Sequence, residues 1–219
     1  MTIEKLIVHS LPVLSPDDTI GRALEILEDN QVKALPVVVD EDYKGLVTED
    51  HLLELDDDNA KLADTHLLQY KPAVTSFSHP FEAISAMHQA RLSVLPVLDG
   101  EQKYLGCIDR DSLLAYVAEN SGVSNPGGIL VLEIPPRNYS MYEIARICEN
   151  EDVIILAMHS RTNEAGLLEI TMKLNRTVLD AVVASFERHN YHPIEVYGRE
   201  TNKEDILGKY NLLMNYINM

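Results

Sequence analysis

His189 and His192 stand three residues apart, a spacing at which two imidazoles could share a metal ion. Zinc needs further His, Cys or carboxylate ligands, and none is placed in the sequence to supply them. The pair reads instead as the C-terminal end of a helix, where imidazolium charge is favourable. Asp56-Asp57-Asp58-Asn59 is a dense run of oxygen ligands. A calcium loop, however, requires alternating ligands, a turn glycine and a distal glutamate, so these residues read as a solvated turn and a frayed helix end. Cys107 and Cys148 are too few for a disulfide framework or a thiolate metal site, and both read as core positions in a reducing compartment. His159, in an expected strand, reads as a satisfied, half-buried residue and not as a base. No phosphate-binding Gly-x-x-x-x-Gly-Lys-Ser/Thr, nucleophile-elbow Gly-x-Ser-x-Gly or zinc-binding His-Glu-x-x-His occurs. No nucleophile, base and orienting partner can be assembled. The expectation is a non-enzyme with no catalytic residue, no metal site and no required cofactor.

Any chemistry must then lie in a binding surface, and the elements that would build one occur twice. Leu35-Pro36-Val37 returns as Leu95-Pro96-Val97 at an offset of sixty, as do Pro12 and Pro72, Ser15 and Thr75, and Ala23 and Ala83. After one inserted residue Gly45 meets Gly106, Val47 meets Ile108, and Leu52-Leu53 meets Leu113-Leu114. Asp18 and Ser78 are expected as N-caps, since their oxygens can accept from the free amides of a first helical turn. Behind them Ile20, Ala23, Leu24 and Leu27, and Phe81, Ile84 and Met87-His88, fall at helical spacing. Each copy then reads as strand, helix, strand, strand, helix, and neither copy is large enough to be comfortable alone.

A duplicated helix-Leu-Pro-Val-strand pattern, with Gly45-Leu46-Val47-Thr48 leading into a closing helix, resembles a tandem pair of cystathionine β-synthase (CBS) domains, or Bateman module. The resemblance implies a cleft between the repeats that takes an adenine nucleotide, AMP- or ADP-like, or a related metabolite. The base would lie against the Pro-Val steps and the ribose on a Gly-x-x-Thr-x-x-Asp pattern. Carried onto this chain, the implied ligand set is Ser15, Pro36, Val37, Thr48 and His51 with Thr75, Pro96, Val97, Asp109 and Ser112. His51 and Ser112 stand where the pattern has its carboxylate. Asp50 and Asp111 come one residue too early, about a hundred degrees around a helix, so Asp50 is expected to face elsewhere. Arg22, Lys33, Arg91 and Arg110 are the bases that could accompany a phosphate. The alternative is a structural or interaction module with an empty cleft.

Residues 1–122 are read as the CBS pair, divided near residue 60, and 123–128 as a linker. Residues 129–200 are a second domain and 201–219 a helical tail. In the second domain Ile129–Ile134 reads as a strand stopped by Pro135-Pro136. Ser140 caps a helix with Met141, Ile144, Ala145, Ile147 and Cys148 inward. Val153–Ser160 and Leu167–Leu174 form a hairpin. Asn175 or Thr177 opens a helix burying Val178, Ala181, Val182, Ser185 and Phe186, and Tyr191–Tyr197 is a last strand. This β-α-β-β-α-β order is ferredoxin-like. After a CBS pair it resembles an ACT domain, and the whole order resembles acetoin utilisation B-type proteins. The resemblance implies an amino-acid ligand at Arg137 and Asn138 or, more simply, a homodimer formed through an open sheet. The fold class expected is α/β (α+β).

The 219 residues hold 18 basic and 35 acidic side chains, a formal net charge of −17. The first 122 residues carry 9 basic and 22 acidic residues, a net −13, and the remainder carries −4. Long-range repulsion excludes generic binding to nucleic acid or to an anionic membrane, and it favours an AMP-like or uncharged ligand over ATP. Glu4 near the start and an apolar run no longer than Val153–Met158 argue against a secretory signal and a membrane span, so a cytoplasmic protein is expected. The expectation is a regulatory sensor whose downstream target the sequence does not name.

Overall fold

Two successive residues compete to start the first helix, and the second wins. In the computed structural model, which describes residues 2–198, α1 (Ile20–Asp29) is capped by Thr19, whose hydroxyl accepts from Arg22 N at 3.2 Å. Asp18, expected in that role, turns back and accepts from Ser15 N at 2.7 Å. The second repeat makes the same one-residue correction. Its helix α3 (Pro80–Ala90) is capped by His79, whose Nδ1 accepts from Phe81 N while Glu82 accepts from His79 N. Ser78 instead shares a hydrogen bond with the Thr75 hydroxyl, 3.2 Å away. Pro80 fits the first helical position because its missing N–H would lack a partner there anyway.

The chain divides into two compact units, Met1–Val117 and Ala118–Met219. In the first, β1 (Ala34–Val39) and β2 (Asp42–Thr48) form an antiparallel hairpin, followed by the short helix α2 (Glu49–Leu53). The second repeat adds β3 (Val74–Thr75), parallel to β4 (Val94–Leu98), which pairs antiparallel with β5 (Tyr104–Asp109) ahead of α4 (Arg110–Asn120). The leading strand expected in the first copy shrinks to a single parallel bridge, Leu14 to Val37. Both faces of the first hairpin are covered. Leu35, Val37 and Val47 pack with Leu14, Ile20 and Leu27, while Ala34 and Leu46 pack with Leu95, Ile108 and Leu113 of the second repeat. Burial on two faces is why these strands are continuous apolar runs and do not alternate.

The segment leading into each repeat is added to the sheet of the other. Val8 N donates to Cys107 O at 2.7 Å, and Leu46 N donates to Tyr70 O at 2.8 Å. This exchange accounts for the repeated glycines. A Cβ on Gly45 would lie 2.9 Å from Leu68 Cα. One on Gly106, which has a φ of +149°, would lie 2.3 Å from the Ile7 side chain. A hairpin-tip contact, Tyr104 N to Glu41 O, also joins the repeats.

The second unit is a four-stranded antiparallel sheet with the order β7-β8-β6-β9. Its elements are β6 (Ile129–Ile134), α5 (Met141–Asn150), β7 (Ile155–Thr162), β8 (Leu168–Leu174), α6 (Asp180–Arg188) and β9 (His192–Tyr197). This is the ferredoxin-like arrangement. Leu130, Leu132, Ile170, Met172 and Leu174 line one sheet face and pack with Ile144, Ile147, Val182 and Phe186 of the helices. Ser140 caps α5 as expected, accepting from Glu143 N.

Other expectations fail locally. α6 starts at Asp180, later than Asn175 or Thr177 implied, and its N-cap Leu179 provides no side-chain bond. Asn175 Oδ1 accepts from Ile154 N instead. Val178, Ala181, Met141 and Phe81, placed on apolar faces by spacing, are exposed, and so is His159. His189 ends α6 as expected, with its Nδ1 2.7 Å from Ser185 O. Residues 121–128 form no helix or strand. The expected tail helix at 201–219 lies outside the described residues. Among the described residues, no helix is long and apolar enough to cross a membrane.

Candidate functional site

Lys33 and Ser93 occupy equivalent places, each one residue ahead of its repeat's central strand. The two-residue approach to them repeats as well, since Gln31 and Arg91 both adopt a left-handed φ of 54°. These two loops face a cavity of about 320 Å³ between the repeats. The first repeat contributes Lys33 and Ala34 and, from the start of α2, Thr48, Asp50 and His51. Tyr70 lies beside them, and the second repeat closes the space with Arg91, Leu92 and Ser93.

Local bonding fixes this wall. Thr48 is the N-cap of α2 and accepts from His51 N at 3.3 Å. The His51 ring meets Tyr70 edge-on, with centroids 5.4 Å apart and planes at 89°. Lys33 is ion-paired with Glu49, which holds its ammonium above the usual lysine range, by the hydrogen bond first and the charge second. Opposite, the Arg110 guanidinium donates to Leu92 O at 3.0 Å and to Arg91 O at 3.3 Å, pinning the loop that presents Ser93. His51 Nδ1 and Ser93 Oγ are buried and, among the described residues, have no hydrogen-bond partner. Such atoms normally find one, so two on residues of the same cavity are a mark of an incomplete site.

The other residues implied as ligand contacts fall elsewhere. Pro36, Val37, Pro96 and Val97 are buried strand residues, with Val37 and Val97 inside the two core clusters. Ser15 is exposed in the turn before α1, and Thr75 is bonded to Ser78. Asp109 accepts from Ser112 N at 2.8 Å, so the second repeat caps its closing helix with a carboxylate where the first uses a hydroxyl. Arg137 and Asn138 are exposed on the single turn Pro136–Asn138 of the second unit. Asp50, expected to face away, lines the cavity. It sits in the first turn of α2, a helix of only five residues. Tyr70 and Ser93 were not anticipated. The repeat offset signals Ser93, because it places that residue opposite Lys33.

A larger groove of about 540 Å³ runs between α3 and α4 of the second repeat. Ile84, Met87, Leu113 and Leu114 make it apolar, and His88, Arg91 and Arg110 also line it. Both cysteines are free and buried. Burial pushes the Cys107 thiol up to about 12 and that of Cys148 up to about 11. Among the described residues no group of three or more His, Cys, Asp or Glu side chains is placed to hold a metal ion.

Residues 3–58 and 70–119 match the family model of the CBS domain. Both repeats of the first unit thus match the CBS domain, as a tandem pair. Inosine-5'-monophosphate dehydrogenase from Methanocaldococcus jannaschii is 28% identical over 130 residues, which are 58% of this chain but only 26% of the dehydrogenase. The chain thus spans about a quarter of that relative's length. A CBS domain-containing protein of Dictyostelium discoideum is 29% identical over 128 residues, 51% of this chain and 88% of the relative. Among solved structures, a CBS domain pair/ACT domain protein from Thermotoga maritima has a TM-score of 0.47 at 21% identity, covering 54% of this chain and 98% of its own. CBSX2, in complex with AMP, has a TM-score of 0.48 at 23% identity, covering 54% of this chain and 96% of its own.

Proposed function

We propose that this is a non-enzymatic, ligand-responsive regulatory protein whose CBS pair binds an adenine nucleotide of the AMP class, or a related metabolite, in the cavity between the repeats. The observation that carries this reading is the pair of unpartnered buried polar atoms, His51 Nδ1 and Ser93 Oγ, on residues contributed by different repeats. A ligand that bonds to both ties the repeats together, and its effect equals its differential affinity for the poses it selects. At a hundred times its dissociation constant it adds about 2.7 kcal/mol, or about 10 °C for a unit of this size. The test is a melting screen of the full chain with AMP, ADP, ATP, S-adenosylmethionine and amino acids. No shift at millimolar concentration would overturn the sensor reading.

The second unit is proposed as an ACT-like domain that dimerises the chain. Its strand β9, which among the described residues pairs only with β6, leaves Ile194, Val196 and Tyr197 about half exposed, at 47%, 48% and 58%, and an edge of this kind favours pairing with a second copy. Light scattering that gives a monomer mass would exclude it. An amino-acid ligand at Arg137 and Asn138 is tested in the same melting screen. The groove between α3 and α4, with Leu114 at 68% exposure, favours the other reading, an interaction module with an empty cleft. That reading predicts no shift with any of the compounds.

A further inference from the structure

Of the three arginines in the first unit, Arg22 is ion-paired with Glu25 at 3.0 Å. The other two, Arg91 and Arg110, have no carboxylate partner among the described residues, and both line the groove between α3 and α4. We propose that this groove binds a small anionic amphiphile, a carboxylate carrying an unbranched apolar chain of about eight carbons. The site lies within the second repeat, apart from the cavity between the repeats, and it does not depend on the nucleotide reading.

The groove has two unlike ends. His79 and Phe81, at the start of α3, meet Tyr116 of α4 edge-on, with ring centroids 6.3 and 6.4 Å away. The last turn of α3 therefore lies beside the first turn of α4, where Arg110 donates to Leu92 O and Arg91 O. His88, Arg91 and Arg110 gather at this end. The other lining side chains, Ile84, Met87, Leu92, Leu113, Leu114 and Val117, offer a sugar or a base no hydrogen bond. From Arg110 to Val117 the helix rises about 10 Å, a length that an extended chain of about eight carbons spans. The volume, about 540 Å³, is that of a small-molecule site.

Charge selects the headgroup. No acidic side chain lines the groove, although the first 122 residues hold 22 acids against 9 bases. Arg110 spends donors on neutral carbonyls, so its charge stays unbalanced. The repeat architecture does not demand this arrangement. At offsets of sixty and sixty-one, His88, Arg91, Arg110 and Val117 correspond to Glu28, Gln31, Glu49 and Asp56 of the first repeat, which inverts the charge and removes the apolar end. A second copy seated groove to groove would bring the same bases to both sides of the contact, because a two-fold interface presents one surface twice.

The test is isothermal titration of the full chain with hexanoate, octanoate, 1-octanol and octyltrimethylammonium. Affinity is expected to rise about tenfold for the two methylenes that separate hexanoate from octanoate. Octanoate is expected to bind at least tenfold more tightly than the neutral and cationic octyl compounds. Leu114→Glu, at a position already 68% exposed, and Arg91→Gln should each weaken octanoate at least tenfold, with melting of the ligand-free variants alongside to show that they fold. No saturable binding of either alkanoate at millimolar concentration, 1-octanol binding as tightly as octanoate, or octanoate binding unchanged in Leu114→Glu would overturn the proposal. So would light scattering in which Leu114→Glu halves the mass of the ligand-free chain, since a second copy would then cover the groove. The nucleotide reading is untouched by these outcomes and stands or falls on the melting screen with AMP.

Discussion

Replacing Ser93 by alanine should stabilise the ligand-free protein and weaken its ligand, and the two effects have one cause. The Ser93 hydroxyl is buried with no partner among the described residues. A buried polar group left unpaired costs about 1–3 kcal/mol relative to its solvated state. Alanine removes that cost and forfeits only the packing of one oxygen beside an existing cavity, a few tenths of a kcal/mol. A net gain of about 1 kcal/mol follows, or roughly 4 °C in the melting temperature of a unit of this size. With ligand present the sign reverses. A hydrogen bond to a charged group is worth about 1.5–3 kcal/mol, so the affinity should fall by about tenfold to a hundredfold. Thermal unfolding followed by circular dichroism, with and without AMP, measures both quantities on one sample. A Ser93→Ala protein that melts lower than the parent by the equivalent of 1 kcal/mol or more would show that the hydroxyl is satisfied in the folded chain. The inference of an incomplete site would then fail.

Thr48→Ala, on the same cavity, should go the other way: Thr48 caps α2, and loss of that bond should lower stability by about 1 kcal/mol, measured by urea unfolding. Gly45→Ala should destabilise the chain by about 1–3 kcal/mol in the same assay, because its Cβ would meet backbone and not a flexible side chain. Arg110→Ala should weaken AMP severalfold by freeing the Arg91–Ser93 loop; rescue by Arg110→Lys would refute the pinning geometry, since one ammonium cannot reproduce the fork to two carbonyls. Cys107 should resist thiol reagents at pH 8 in the native chain. Its folded value is raised from 9.0 to about 12, so above pH 9 the unfolded state loses a proton that the folded state keeps, and stability should fall between pH 9 and 12, less steeply in Cys107→Ala.

The repeat was legible because both copies obey the same physical constraints. The Leu-Pro-Val strands must be apolar on two faces, and Gly45 and Gly106 must admit a segment exchanged from the other repeat. The local errors have a common origin too. Asp18 and Thr19, or Ser78 and His79, are adjacent groups that can each cap a helix, and one residue decides which side chain reaches the first turn. Helical spacing placed Phe81 and Val178 inward, yet spacing fixes only a stripe, and its edges are set by where the next layer stops. The cavity was half legible. Thr48 and His51 could be assigned from the pattern around Gly45. Tyr70 could not, since it arrives by the segment exchange, and the only sequence signal for Ser93 is its sixty-residue offset from Lys33.

The two repeats also contribute unequally to the cavity between them. Where the first copy has Thr48 and Lys33, the second has Asp109 and Ser93. Thr48 caps its helix with a neutral hydroxyl, so the entrance to α2 gains no charge from its cap. Asp109 caps α4 with a carboxylate, which would repel an oxyanion approaching the equivalent place. The second copy instead uses its extra cation, Arg110, to brace the loop that carries Arg91 and Ser93 toward the first copy's Thr48 and His51. Each repeat thus gives up a symmetric role: one supplies the neutral cap and the imidazole, the other the guanidinium and the hydroxyl. The net charge of −17 bears on the same cavity, because an anionic ligand would be repelled across most of an acidic chain and would meet Arg91 on this wall.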